Sequence, residues 1–345
     1  MKKPIVQLEK TAPNPFKKVE WRLSNVCNYD CPYCMDESKR GDEPFLDIDT
    51  NKKAVDKLCT LFNNERIQFT FTGGEPTLYP KLYELFSYIK SKNVNHQIRM
   101  FTNGSRSVRW WQEFASEPMI DFIMFTYHQS QVKNIDSFVD AVNSIHLTNV
   151  QGLVFFTCTD IDFNETIESL NYISDRVGID CHLKKIHSSS LKKYTDEQNE
   201  VFLSNRVVKG RLADSKIGSF NQEYNVYIKT RYYDGSVEDI HDPQELLVRG
   251  HNRFLFWDCD IGKDRIVIYS DEVYKSICQV GNVMYTIYDD FVPVTESTKC
   301  PFNVCVCGTD IMESKRSPIF KKNIPIQYQQ QTQPQHPSVQ GTLAS

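Results

Sequence analysis

The chain has 345 residues and eleven cysteines, three of which crowd into the stretch SNVCNYDCPYCMDE as Cys27, Cys31 and Cys34. The spacing is C-x3-C-x2-C, with Tyr33 directly before the last cysteine. Three thiolates on one loop can face a single point, as iron–sulfur ligation requires. They leave one coordination position unfilled locally. A distant cysteine or a small molecule must fill it, and an open position is what makes a metal centre catalytic rather than structural. Spacing alone leaves structural zinc with one remote ligand as an alternative.

A second stretch, TFTGGEPTLYP at 70–80, joins a strand pattern to a Pro-initiated helical turn. Gly73 and Gly74 permit close backbone approach or unusual dihedrals. Glu75 is expected to be an exposed carboxylate at that strand end, able to pair with an ammonium group. A plain strand-to-helix turn would also account for the glycines. A second cysteine set, Cys259, Cys278, Cys300, Cys305 and Cys307, follows late in the chain, with a hairpin pattern between the first two.

These residues need elements to hold them. VEWRLS (19–24), RIQFTFT (66–72), HQIRMFTNG (96–104), DFIMFTYH (121–128), GLVFFTCT (152–159) and IDCHLKKIH (179–187) read as strands. Helical patterns intervene from about Asp49, at 81–90, around VRWWQEFAS, at 135–146 and at 164–176. Such alternation predicts an α/β fold with a parallel sheet. A doubly wound sheet and an open or closed barrel both satisfy the pattern. In either, ligand chemistry belongs at the carboxyl ends of the strands. The first cysteine loop follows the first strand directly, so it falls there.

Beyond residue 190 the reading is a helix in KKYTDEQNEVFLSNRVV, a hairpin turning at Asp234-Gly235, and short strands through 255–310. The segments are 1–18 as an N-terminal stretch, 19–190 as the α/β body, 191–250 as a connector, 251–313 as a cysteine-rich domain and 314–345 as a polar tail. The Gln/Pro-rich tail is expected to be disordered.

The net charge of −4 gives no basic field for nucleic acid or anionic membrane. MKKPIVQLEK lacks the apolar segment of a secretory signal, and no run reaches the length of a membrane span. A soluble cytoplasmic protein is expected. In a reducing compartment clustered cysteines bind metal or do chemistry.

Taken together, C-x3-C-x2-C with an aromatic residue and G-G-E-P some forty residues later resemble the radical S-adenosylmethionine (SAM) superfamily. The resemblance implies a partial (β/α)6 TIM-like barrel over 19–190. It implies a [4Fe–4S] cluster on Cys27, Cys31 and Cys34, whose open iron is chelated by SAM; the missing ligand is then the cosubstrate. Reductive cleavage would give a 5′-deoxyadenosyl radical that takes a hydrogen atom from the substrate, with an electron donor such as flavodoxin or ferredoxin. Gly73, Gly74 and Glu75 match the motif that holds the SAM amino group. Tyr33 matches the aromatic position beside the adenine, Asn103 a frequent TNG, and Thr126 and His128 the polar ribose contacts. The fifth strand matches an adenine wall only as an apolar run.

The later cysteines resemble the auxiliary-cluster extensions called SPASM and twitch. The family's glycine before the second cysteine is missing from SDEVYKSIC. One auxiliary [4Fe–4S] cluster is implied, on Cys259, Cys278 and Cys305 with either Cys300 or Cys307; a structural zinc knot is the alternative. Cys59 and Cys181 fall on core positions. Cys158, at the fifth strand's end, is expected as a rim residue and a candidate hydrogen donor to a substrate radical. The substrate reads as a peptide undergoing oxidation, crosslinking or epimerisation, or as a small molecule such as a sugar or nucleotide derivative. A non-catalytic iron–sulfur or zinc scaffold is the alternative of another class.

Overall fold

Alternate residues of each early strand are apolar, which gives every strand one face for a helix and one for an interior. The computed structural model of the chain shows both faces. It describes residues 4–12, 16–34, 39–117, 119–146, 150–186, 194–204, 207–210, 227–241, 243–279, 282–305, 307 and 309–319. Among these, the strands are β1 (Ile5–Thr11), β2 (Lys17–Arg22), β3 (Ile67–Thr72), β4 (Gln97–Thr102), β5 (Phe122–His128), β6 (Gln151–Cys158), β7 (Asp180–Lys185), β8 (Val207–Val208), β9 (Tyr227–Tyr232), β10 (Val237–Ile240), β11 (Asp258–Cys259), β12 (Arg265–Tyr269), β13 (Glu272–Tyr274), β14 (Tyr285–Thr286), β15 (Thr298–Lys299) and β16 (Lys315–Arg316). The helices are α1 (Ile48–Leu61), α2 (Leu82–Lys92), α3 (Val108–Ser116), α4 (Ile135–His146), α5 (Phe163–Ser174), α6 (Asp196–Ser204) and α7 (Pro243–Val248).

The chain divides into two compact units. The larger comprises residues 12–225 and 261–296, the smaller residues 1–11, 226–260 and 297–345. In the larger unit, β2 through β7 lie side by side, each parallel to the next, with α1 to α5 between them in sequence. This is the partial (β/α)6 TIM-like barrel. Val19 and Trp21, Phe69 and Phe71, Ile98 and Met100, Phe125 and Val154 belong to one core with Leu58, Leu85, Phe86 and Trp111 of the helices. Each large side chain so buried contributes about 1.5–3 kcal/mol. Helix starts are set locally: Asp47 caps α1 by accepting from Thr50 N at 2.9 Å, and Ser107 caps α3 through Trp110 N at 3.3 Å.

The opposite strand faces form layers fixed by register. Tyr269, Arg22 and Thr72 share one layer. Thr126, Phe155 and His182 share another, and His128, Thr157 and Lys184 stand above it at the strand ends. Phe122, Met124 and Leu153 form a small apolar cluster on this face, with Phe101 and Phe155 packed against it.

The late hairpin expected between Cys259 and Cys278 is present as β12 and β13, paired antiparallel. It does not stay with the rest of 251–313. β12 runs parallel to β2, so residues 261–296 extend the barrel sheet. The Asp234-Gly235 hairpin is also present, as β9 and β10 with Gly235 at φ +84°. In the smaller unit these two strands join β1, β16, β11 and β15 in one sheet. β1 thus gives the N-terminal segment a structural role.

The expectation of a disordered tail from 314 is corrected for residues 314–319. β16 pairs with both β1 and β11, and Lys315 is 1% exposed. Its ammonium donates to the carbonyls of Asp310, Ile311 and Glu313 and lies over the Phe254 ring. A lysine can be buried when its charge meets such acceptors. The Gln/Pro-rich part, 320–345, lies outside the described residues.

Candidate active site

The cysteine loop leaves β2 at the carboxyl end of the sheet. Its root is sewn to the turn after β3 by two backbone hydrogen bonds, Gly74 N to Ser24 O at 3.0 Å and Glu75 N to Val26 O at 2.8 Å. The two chains approach so closely that a Cβ on Gly74 would stand 2.1 Å from Val26 O. One on Gly73, which has φ +123°, would stand 2.5 Å from Ser24 O. Both positions therefore exclude a side chain.

Glu75 departs from its expected exposure. It is 1% exposed and satisfied within the chain. One carboxylate oxygen accepts from Thr77 N (3.0 Å), Thr77 Oγ1 (2.6 Å) and Thr102 Oγ1 (2.8 Å), and the other from Asn103 N (2.7 Å). Burial pushes its carboxyl up, and the Asn103, Thr77 and Thr102 donors pull it back down. The correction has a physical reason: a strand-end carboxylate can be buried where backbone amides from two neighbouring turns converge on it. Asn103 continues the chain of contacts, donating from Nδ2 to Asn28 Oδ1 at 3.0 Å, and Asn28 donates to Ser105 Oγ at 2.8 Å.

Cys27 and Cys34 are half-buried and Cys31 is buried. Burial pushes the Cys31 thiol up to about 12; a hydrogen bond with Tyr33 pulls it down, and the charges of Cys34 and Cys27 push it up again. Burial also raises Cys27, with Glu75 and Cys34 adding to it. Such a donor set repels itself once ionised and fits a cationic iron–sulfur core. Among the described residues no three His, Cys, Asp or Glu side chains are gathered around a point for one metal ion. A [4Fe–4S] cluster differs from a single ion because each thiolate takes its own iron.

Tyr33 reaches into the barrel interior. Its hydroxyl lies 2.5 Å from His128 Nδ1 and 2.7 Å from Thr157 Oγ1, and the Tyr33 and His128 rings stack. Thr157 itself donates to Tyr127 O at 2.9 Å. Burial, followed by the Lys184 charge, lowers the His128 pKa to about 4. Thr126 is half-buried on the same face.

The structure thus brings Cys27, Gly73, Gly74, Glu75 and Asn103 into one network and Tyr33 and His128 into another. Cys158 joins neither. It is fully buried in the core shared with the helices, with its thiol pushed up to about 12 by burial. Strand alternation turns it away from the interior, where Thr157 points instead. Thr157 went unrecognised in the sequence, although its parity with Phe155 and Leu153 carried the signal. Cys59 and Cys181 lie in the core.

Of the later cysteines, Cys259, Cys300, Cys305 and Cys307 belong to the smaller unit and Cys278 to the larger. Backbone bonds tie their loop to 252–257: Phe256 N to Cys300 O (2.9 Å), Cys300 N to Trp257 O (2.8 Å) and Cys305 N to Asn252 O (2.8 Å). None of the eleven cysteines forms a disulfide.

A partial parallel barrel with a three-cysteine loop at the carboxyl end of its first parallel strand, braced by Gly73-Gly74-Glu75, defines a class of iron–sulfur enzyme domain. Residues 21–176 match the model of the Radical SAM superfamily. Among curated relatives it is 30% identical over 107 residues to GTP 3′,8-cyclase of Yersinia pestis, covering 30% of this chain and 32% of that protein. It is 33% identical over 105 residues to the mycofactocin maturase MftC of Mycobacterium tuberculosis, covering 30% of this chain and 25% of that one. The chain thus matches about a third or less of these relatives' length. A solved structure of Streptococcus suis SuiB bound to precursor peptide SuiA shares the fold, with TM-score 0.50, 12% identity and coverage of 81% of this chain and 64% of that one. The superfamily implies a [4Fe–4S] cluster and SAM. No described helix is long and apolar enough to cross a membrane.

Proposed function

We propose that this chain is a radical SAM enzyme that modifies a peptide by oxidation, crosslinking or epimerisation. The observation that carries the radical SAM reading is the seam between the cysteine loop and Gly73-Gly74-Glu75, where backbone contact leaves no room for other residues. Cys27, Cys31 and Cys34 would hold the cluster. When bound, the cluster and SAM supply one-electron cleavage of SAM and a 5′-deoxyadenosyl radical that removes a hydrogen atom from the substrate.

The chain's own residues position and enclose. Glu75 locks the β3 and β4 ends together, so the glycine pair presents its backbone beside the cysteines. Asn103, Thr126, His128 and the Tyr33 ring offer the cosubstrate polar groups and an aromatic surface. The apolar layer of Phe122, Met124 and Leu153 closes the interior beneath. A reactive carbon radical needs such a water-poor, pre-positioned site.

Similarity to a maturase supports the peptide reading. Similarity to GTP 3′,8-cyclase favours a second one, a nucleotide or sugar derivative as substrate. We further assign one auxiliary [4Fe–4S] cluster to the later cysteines, the reading that their resemblance to the SPASM and twitch extensions supports. Electrons would come from a donor such as flavodoxin or ferredoxin.

The test is anaerobic reconstitution followed by reduction in the presence of SAM. Formation of 5′-deoxyadenosine marks an enzyme, and its absence with SAM bound would leave a non-catalytic scaffold. A peptide from a neighbouring gene that loses two mass units, or gains one deuterium from D2O, supports the peptide reading. Deuterium carried from a labelled nucleotide or sugar into 5′-deoxyadenosine would replace it with the second. Iron assay of the Cys27/Cys31/Cys34→Ala variant addresses the auxiliary cluster, with about four irons retained expected.

A further inference from the structure

The cysteine loop is fastened to the barrel at several places, and they differ in kind. Its root is held by backbone bonds to the glycine turn. Asn28 is held by Asn103 and Ser105 after β4. Asp30 exchanges two hydrogen bonds with Gln131 beyond β5, at 3.1 and 3.2 Å. Between Cys31 and Cys34, the side chain that reaches across to the barrel strands is Tyr33, and it does so through its hydroxyl.

Proton placement makes this contact directional. Thr157 has one hydroxyl hydrogen, and Tyr127 O receives it at 2.9 Å. The 2.7 Å contact is therefore Tyr33 O–H donating to Thr157 Oγ1. The Tyr33 hydrogen is then used, so the 2.5 Å contact is His128 Nδ1–H donating to the Tyr33 oxygen. The series His128, Tyr33, Thr157, Tyr127 O is satisfied at each step. It joins the loop to the ends of β5 and β6, two strands already fixed in the barrel. A phenylalanine at 33 would keep the ring against His128 and lose both bonds, together with the hydroxyl's own contact to the Cys31 thiol, whereas Thr157→Val leaves that contact in place.

We propose that the Tyr33 hydroxyl is a latch, a positioning group that pins the cysteine loop to β5 and β6 and holds it in shape before any cluster is present. This is a second role for a residue whose ring alone would serve as an aromatic surface. It rests on the radical SAM reading only for what the loop ligates; the latch itself is a property of the bare chain. The structural consequence is read at Cys31, which is 5% exposed although it lies on a loop at the surface end of the sheet. A latched loop keeps that thiol covered, and an unlatched one opens and reseats it repeatedly.

The test uses the full-length, cluster-free chain and needs neither iron nor SAM, so its outcome is independent of whether the enzyme proves active. Iodoacetamide labelling is followed at each cysteine by mass spectrometry, with the core thiols Cys59 and Cys181 as internal references, at 6% and 0% exposure. One neutral hydrogen bond shifts a local equilibrium by about tenfold. Tyr33→Phe and Thr157→Val should each raise Cys31 labelling by about tenfold, with the reference thiols unchanged. Thr157→Ser should behave as the wild type. The double variant should exceed either single one by less than about twofold, since both act through one contact. Cys31 labelling unchanged in Tyr33→Phe and Thr157→Val would overturn the latch, as would effects that multiply in the double variant. If Tyr33→Phe also exposes Cys59 and Cys181, the Thr157→Val and Thr157→Ser pair decides: a difference between them supports the latch, and equality refutes it.

Discussion

The Glu75 carboxylate accepts the backbone N–H of Asn103 at 2.7 Å while its other oxygen takes three donors from Thr77 and Thr102. This single buried side chain sets the spacing between the ends of β3 and β4, and Asn103 passes that spacing on to Asn28 in the cysteine loop.

Replacing Glu75 by Gln tests that arrangement. The amide nitrogen would face a donor whichever way the side chain turned, because every contact to the carboxylate is a donor. An unsatisfied buried donor costs about 1–3 kcal/mol. We expect Glu75→Gln to lower stability by about 2–3 kcal/mol, measured by urea denaturation of the cluster-free chain. A loss below about 0.5 kcal/mol would mean that the carboxylate is not the element joining the two strand ends.

Gly74 gives a sharper prediction, since the obstacle to a side chain there is backbone. A Cβ at 2.1 Å from Val26 O cannot be accommodated by rotating a neighbour. Gly74→Ala must move the cysteine loop away from the glycine turn. We expect it to lose about four irons per chain after reconstitution relative to the wild type, while the far-ultraviolet spectrum shows a folded barrel. Gly41→Ala, where nothing lies within 4 Å, is the control and should keep its iron despite its positive φ. Equal iron in both variants would show that the close approach is not needed to build the site.

The legible and the hidden parts of this fold divide by sequence distance. Alternation in VEWRL, QFTFT and IMFTY reports a strand because neighbours two residues apart share a face. The six parallel strands followed from that pattern, with their intervening helices. β12 gave no such clue to its place, because the strand beside it, β2, lies some 240 positions earlier in the chain. β1 was hidden for the same reason, since its partner β9 lies more than 200 residues downstream. The site shows the same division. The cysteine spacing and the glycine pair were local motifs and readable. Glu75 was misjudged as exposed because its donors come partly from the end of another strand, and Cys158 because a strand end does not announce which way its last residue points.

His96 makes stability pH-dependent in a definite direction. It is 1% exposed, its Nδ1 accepts from Ile67 N at 3.1 Å, and its Nε2 lies 3.6 Å from Cys59 Sγ. Burial, followed by the Lys90 charge, lowers its pKa from 6.5 to about 4. The unfolded chain therefore binds a proton near pH 6.5 that the folded chain refuses until about pH 4. His96 thus contributes a loss of stability that begins as pH falls through 6.5 and is complete below 4, of about 3 kcal/mol at most. Carboxylates elsewhere also titrate in this range, so the comparison is with His96→Asn, whose amide oxygen can still accept from Ile67. The wild type should lose more stability than the variant between pH 7 and pH 4. Parallel pH profiles would show that His96 is not the group responsible.

Lys315 carries the last prediction. Its ammonium is buried in the smaller unit with three backbone carbonyls and the Phe254 face as its surroundings. Two of those carbonyls belong to the turn at Asp310–Met312 and the third to Glu313, which caps it, and Ile311 N there donates to Cys307 O at 3.0 Å. The lysine therefore organises the segment that carries a late cysteine. Lys315→Met keeps the length and apolar stem but leaves the carbonyls of Asp310, Ile311 and Glu313 without their donor. We expect a loss of about 2–4 kcal/mol and faster amide exchange at Ile311. Ending the chain after Glu313 removes β16 as well, and with it the pairings to β1 and β11. That truncation should be at least as damaging as Lys315→Met. Thermal unfolding of both variants checks the order, and a truncated chain as stable as the wild type would return residues 314–319 to the dispensable tail that their polar sequence suggested.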